Sequence, residues 1–203
     1  MQTPRPVKLL TLIFVLAVAG GCGTTAPGSN IIKTAHGVDS GAPFVDVLII
    51  GVAGDVPTRV QFEQQLAAAI SGEGAPATAF YTVVGRNPQL SRDVLNNVIE
   101  AREFDAIVLT RLKGQDRPEL VANRPTGRLF DLYHYDYAEL NISASFPIGS
   151  TVSFIVEIYD TVLRKKVWGI ESLLFNTESL DTVISEQAAA IAAEILQDEM
   201  VRR

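Results

Sequence analysis

Cysteine is nearly absent from these 203 residues: there is one, Cys22. A lone thiol closes no internal disulfide and makes no thiolate-rich metal site, so the folded part has to draw its stability from an apolar core. Histidine is as scarce. His36 and His134 stand far apart, and neither has a Cys or His neighbour at ligand spacing. No metal centre and no cofactor is therefore expected. A G-x-S-x-G nucleophile elbow is missing too. No apolar run reaches the roughly 20 residues that a bilayer-spanning helix needs. Positive charge is short, with 17 Lys and Arg against 23 Asp and Glu. That balance opposes nucleic-acid binding, which relies on clustered cations.

What is present begins at the N-terminus. Arg5 and Lys8 precede an apolar stretch of eleven residues, 9–19 (LLTLIFVLAVA), followed by the small pair Gly20 and Gly21. This is the layout of a secretory signal peptide over residues 1–21. Cys22 comes next, so Ala19-Gly20-Gly21-Cys22 resembles the lipobox of bacterial lipoproteins. The resemblance implies cleavage before Cys22 and attachment of lipid to its thiol. Each methylene then buried in the bilayer contributes roughly 0.8 kcal/mol, and two or more acyl chains anchor a protein stably. Gly23 rather than Asp follows the cysteine, which by the same resemblance implies the periplasmic face of the outer membrane. Without residues 1–21 the chain keeps 182 residues with 15 basic and 23 acidic groups, a net charge of −8, suited to solubility.

Residues 22–43 are rich in Gly, Ser, Thr, Ala and Pro and read as the lipidated cysteine and a flexible tether. As a random coil its 21 residues after Cys22 would span about 25 Å and leave the orientation of the domain open. One domain is expected over 44–203, of ordinary size. Residues 44–52 (FVDVLIIGV) predict a strand covered on both faces. Asp55 and Pro57 suit a helix start, and Phe62, Leu66, Ala69 and Ile70 recur at helical spacing until Gly72 and Gly74. A second strand is predicted at 77–84. A helix capped by Ser91 follows, with Val94, Leu95, Val98 and Ile99 as its stripe, and then a third strand at 105–112. Residues 151–159 and 166–174 flank a turn and predict a β-hairpin. Ser179 or Asp181 caps a last helix striped by Ile184, Ala188, Ile191 and Ile195. The fold class is α/β (α+β): a mixed, mostly parallel sheet built from β-α-β-α-β, then a hairpin and a C-terminal helix.

Few constellations carry chemistry. Gly51 and Gly54 lie where a dinucleotide loop would sit, but a third glycine is missing and Pro57 closes the segment, so a tight βα turn is the plainer expectation. Asp46, Asp105 and Asp160 fall at strand ends, where carboxylates commonly cap turns. In 130–137 (FDLYHYDY), Tyr133, Tyr135 and Tyr137 share one face of an extended segment. Two roles stay open for them, packing on the sheet or offering a partner surface. Arg164, Lys165 and Lys166 put a basic run at the hairpin tip, either a solvated turn or a contact for an anionic partner. Trp168 is expected to pack on the last helix.

The order of signal, tether, β-α-β-α-β, hairpin and terminal helix resembles envelope lipoproteins with a domain like the N-terminal part of TolB, together with CsgG-like and penicillin-binding-protein-activator lipoproteins. The local match is Val156-Glu157-Ile158-Tyr159-Asp160, Lys166-Val167-Trp168-Gly169 and the Ala-rich helix 181–198. The resemblance implies binding or assembly rather than catalysis. The partner is expected to be another envelope protein or peptidoglycan, with the membrane reached through the lipid anchor. Candidate partner-binding residues are Tyr133, Tyr135, Tyr137, Arg164 and Lys165. Self-association through an edge strand of the hairpin stays open, as does a rival reading as a binder of small ligands or peptidoglycan fragments. Replacing the lipid acceptor, Cys22→Ser, should move the protein from the membrane to the soluble fraction on cell fractionation. Unchanged membrane retention would sink the lipoprotein premise.

Overall fold

The computed structural model describes residues 29–36, 42–52, 56–72, 74–85, 92–113, 151–175 and 179–202. Among these residues ten elements follow one another: β1 (Ser29–His36), β2 (Val47–Val52), α1 (Val56–Ser71), β3 (Ala77–Ala79), α2 (Phe80–Val84), α3 (Arg92–Arg102), β4 (Ala106–Lys113), β5 (Thr151–Asp160), β6 (Lys165–Phe175) and α4 (Leu180–Gln197). They build one six-stranded mixed sheet in the order β1-β6-β5-β4-β2-β3, the α+β architecture expected from the sequence. β2 runs parallel to β3 and β4, whereas β4-β5, β5-β6 and β6-β1 are antiparallel, so the sheet is mixed as expected but not mostly parallel, because the hairpin and β1 add antiparallel pairings.

The continuous apolar run of β2 has the physical basis inferred for it. Val47 and Ile49 face a core built with α1, α4 and the hairpin strands. Leu48 and Ile50 face a second core with Leu95, Val98 and Phe104. Period-2 alternation thus sends the side chains of Val47 to Ile50 alternately into the two apolar layers. In the hairpin Phe154, Val156 and Ile158 join the α1–α4 core, Phe62 stacks on Phe154 with ring centroids 5.6 Å apart, and Tyr159 joins the second core. Ile184, Ala188, Ile191 and Ile195 of α4 lie on the same core. Ser179 caps α4 by accepting from the Thr182 N–H at 3.3 Å.

Two further expectations change. The strand predicted at 77–84 stops at Ala79, and α2 takes over. Only Ala77–Ala79 finds a ladder partner, at Val47–Ile49 of β2. Beyond it, the Glu63 carboxylate accepts the Tyr81 N–H at 2.8 Å and Thr82 Oγ1 donates to Ala79 O at 2.7 Å. Tertiary capping overrides the β-propensity of a Tyr-Thr-Val-Val run. The second change lies in the segment taken for tether. Residues 29–36 form β1, which pairs antiparallel with β6 from Ser29 opposite Leu174 to His36 opposite Trp168. Asn30-Ile31-Ile32 had the local character of a strand, but a lone eight-residue segment has no partner until β6 is in place. Lys33 fixes it, with its ammonium 2.6 Å from Asp198 and 3.4 Å from Glu194 on α4.

Trp168 is fully buried against α4, and its Nε1 donates to the other oxygen of Asp198 at 2.8 Å. One carboxylate therefore ties β1, β6 and the end of α4 together. Among the described residues no helix is long and apolar enough to cross a bilayer. Trp168→Ala removes the largest buried side chain and one partner of Asp198. It should cost about 3–5 kcal/mol, read as a lower urea midpoint at unchanged slope.

Candidate functional site

Strand directions give the sheet two ends. Val52, Lys113, Thr151, Phe175 and Ser29 mark the upper end, and Val47, Ala106, Asp160, Lys165 and His36 mark the lower. The hairpin tip, residues 161–164, projects from the lower end. Asp160 shapes it by accepting the N–H groups of Val162 at 2.9 Å and Leu163 at 2.7 Å, an Asx-type turn. Arg164 closes the turn at φ 53°. Thr161 locks the tip to the body: its hydroxyl donates to Phe104 O at 2.7 Å and its N–H to Asp105 O at 3.1 Å. The Asp105 carboxylate in turn accepts from Val45 N at 2.7 Å and Asp46 N at 3.0 Å.

This framework leaves apolar side chains in water. Val162 is 83% exposed, Leu163 48% and Val45 41%, three of the four exposed large hydrophobic residues among those described. Arg164 and Lys165 stand exposed beside them, and Arg102 is exposed on the same end. Asp46 is half-buried there. Desolvation first, and then the neighbouring Asp105 charge, raise its carboxyl above the ordinary range, with Arg102 opposing. An apolar centre with a basic border on a stiff turn is the anatomy of a small docking knob.

Of the residues singled out from sequence, Arg164 and Lys165 come together at this tip. Cys22, Tyr133, Tyr135 and Tyr137 lie outside the described residues. The chain leaves for the tyrosine segment at Lys113 and returns at Thr151, both at the upper end, so its two flanks stand opposite the tip. Asp160 forms the hairpin turn, whereas Asp105 holds the N–H groups at the entrance of β2.

Two polar nodes had little signal in the sequence. Glu63, on α1, is fully buried at the upper end. Its carboxylate accepts Gly51 N at 3.0 Å and Tyr81 N at 2.8 Å, with Arg59 Nε 3.9 Å away. A Cβ at Gly51 would sit 3.3 Å from both Arg59 Cγ and Glu63 Cγ, so glycine allows this close approach. The signal was an Arg and a Glu four apart (i, i+4) on the apolar stripe of α1. Glu157, 4% exposed on β5, receives the Tyr159 hydroxyl at 3.1 Å and Lys166 Nζ at 3.0 Å, with an Arg111 nitrogen at 3.6 Å. It binds β4, β5 and β6 across the face opposite α4. Both nodes hold the fold, since their oxygens face donors within the domain. Among the described residues no group of three or more His, Cys, Asp or Glu side chains is placed to hold a metal ion. An open groove of about 670 Å³ runs past the end of α4, lined by Pro43, Leu196, Glu199 and Arg202 among others.

No protein-family model and no curated protein matches the chain. Solved structures similar in fold include two PelC dodecamers from Paraburkholderia phytofirmans, at TM-scores of 0.47 and 0.46. Each is 12% identical over 86% of this chain and 99% of that one. Another is the lipoprotein GNA1162 from Neisseria meningitidis, at a TM-score of 0.41 and 12% identity over 75% of this chain and 96% of that one. At these values the likeness says nothing about what this chain binds.

Burial raises the Glu63 carboxyl from its ordinary 4.5 to about 7, against the pull of the two N–H groups and Arg59. The folded state thus holds a proton that the unfolded state has released between pH 4.5 and 7. The Glu63 contribution to stability is full below 4.5, falls through that window and levels off above about 7, a loss on the order of 3 kcal/mol. Glu63→Gln should remove this slope, so that the variant gains on wild type as pH rises from 4.5 to 7.5. Parallel urea-unfolding profiles of the two proteins against pH would refute it.

Proposed function

We propose that the chain is a lipid-anchored accessory protein of the bacterial envelope that binds another envelope component, and that the hairpin tip is its docking point. The observation that carries this reading is Val162 at 83% exposure on a turn held by Asp160, Thr161 and Asp105. A rigid apolar group loses little entropy on binding, so a small knob contributes affinity out of proportion to its area. Arg164 and Lys165 beside it favour a partner with acidic groups around an apolar hollow. The signal and the lipobox-like segment ending at Cys22 support export and anchoring, and Gly23 supports the periplasmic face of the outer membrane. The resemblance of the hairpin and last helix to TolB-like and CsgG-like lipoproteins points to binding rather than catalysis.

A second reading, binding of a small ligand or peptidoglycan fragment, draws on the groove beside α4, whose volume of about 670 Å³ is in the range of ligand sites. A photo-crosslinking residue at position 163 in intact cells separates the two. A docking tip should capture one envelope component in near-equal amount. With the crosslinking residue kept at 163, Val162→Asp should lower that capture at least about tenfold, or ~1.4 kcal/mol, with little change in melting temperature because Val162 is exposed. Recovery of the protein alone, together with a rise in melting temperature on adding muropeptide, would transfer the assignment to the groove.

A further inference from the structure

β1 changes how far the domain can move from its anchor. Antiparallel pairing with β6 places Ser29 opposite Leu174, at the upper end of the sheet. The tip lies past Lys165, at the lower end. Ten residues of β6 separate the Leu174 level from Arg164, and at ~3.3 Å per residue that is about 33 Å. Only Gly23 to Gly28 lie between Cys22 and Ser29. Seven Cα steps, fully extended, reach at most about 25 Å, and a random coil of that length averages ~15 Å. An inverted domain, tip on the bilayer, would hold Ser29 about 33 Å from the surface, beyond the full reach of the linker.

We propose that the domain stands on its membrane on the upper end of the sheet, and that the hairpin tip is held on the membrane-distal side to take a partner protein lying off the anchoring bilayer. This deepens the docking reading and rests on lipidation of Cys22. The geometry behind it is independent of the tip chemistry: the register of β1, the length of β6 and the count of residues before Ser29. Lys33 has a part in the arrangement. Its bonds to Asp198 and Glu194 hold β1 in the sheet, and a detached β1 would restore a long, permissive tether.

The test uses the full lipidated protein in phosphatidylethanolamine–phosphatidylglycerol vesicles that carry a headgroup-labelled acceptor lipid. Cys22 is the sole cysteine, so once it is lipidated a single introduced thiol takes one dye. Thr151→Cys reports the upper end and Val162→Cys the tip, both at exposed positions. Energy transfer to the bilayer should be several-fold stronger from 151 than from 162. Equal transfer, or stronger transfer from 162, overturns the orientation while leaving the anchor standing. Two dyes per chain, or failure to associate with the vesicles, overturns the lipid anchor and the orientation with it. Lys33→Ala should narrow the gap between the two positions, and an unchanged gap would overturn the part given to Lys33.

Discussion

Strand β4 pairs with β2 on one side and with β5 on the other, and its two faces are sealed by different layers. Ala106 and Val108 face the α1–α4 core, Ile107 and Leu109 the α3 core, and none is more than 1% exposed. This strand is where the parallel half of the sheet meets the antiparallel half. The parallel half needs helices on both faces. The hairpin half has its α4-facing side sealed by apolar packing, while Glu157, Arg111 and Lys166 lie on the other. Losing the packing of β4 would therefore free both halves at once.

Around that pivot, polar side chains do the tying. Asp105 joins the entrances of β2 and β4, and through its backbone the hairpin tip. Asp198 joins β1, β6 and α4. Glu63 joins the exit of β2 to the first turn of α2. Each accepts from at least two donors, which for the fully buried Glu63 is the condition under which a buried carboxylate is tolerable. Ser172 donating to Gln187 repeats the device between β6 and α4. With so few cysteines, carboxylates take over the role of staples, and the stiffness of the tip is one result.

Pairing of β1 carries this stiffness outward. A strand locked to the sheet leaves few residues before it, so position and orientation become linked. A lipid on Cys22 then implies a stance as well as an address. The flanks of the tyrosine-bearing segment, Lys113 and Thr151, share the upper end with Ser29, opposite the hairpin tip.

The doubly covered β2, the hairpin and the striped α4 were legible because each depends on local order: an apolar period, a cap, a turn residue. Arg164 and Lys165 were legible for the same reason, since a turn between two strands must be exposed. The rest was decided by partners distant in sequence. Residues 29–36 become a strand only because β6 offers an open ladder and α4 offers Asp198 to Lys33. Residues 80–84 become a helix only because Glu63 reaches the Tyr81 N–H. Val45 counts with Val162 and Leu163 only because Asp105 brings its segment to the tip. The sequence alone determined the layers. The tertiary structure decided the outermost strand, the buried carboxylate nodes and the end of the sheet on which the knob stands, because hydrogen bonds between residues far apart in the chain leave no periodicity to read.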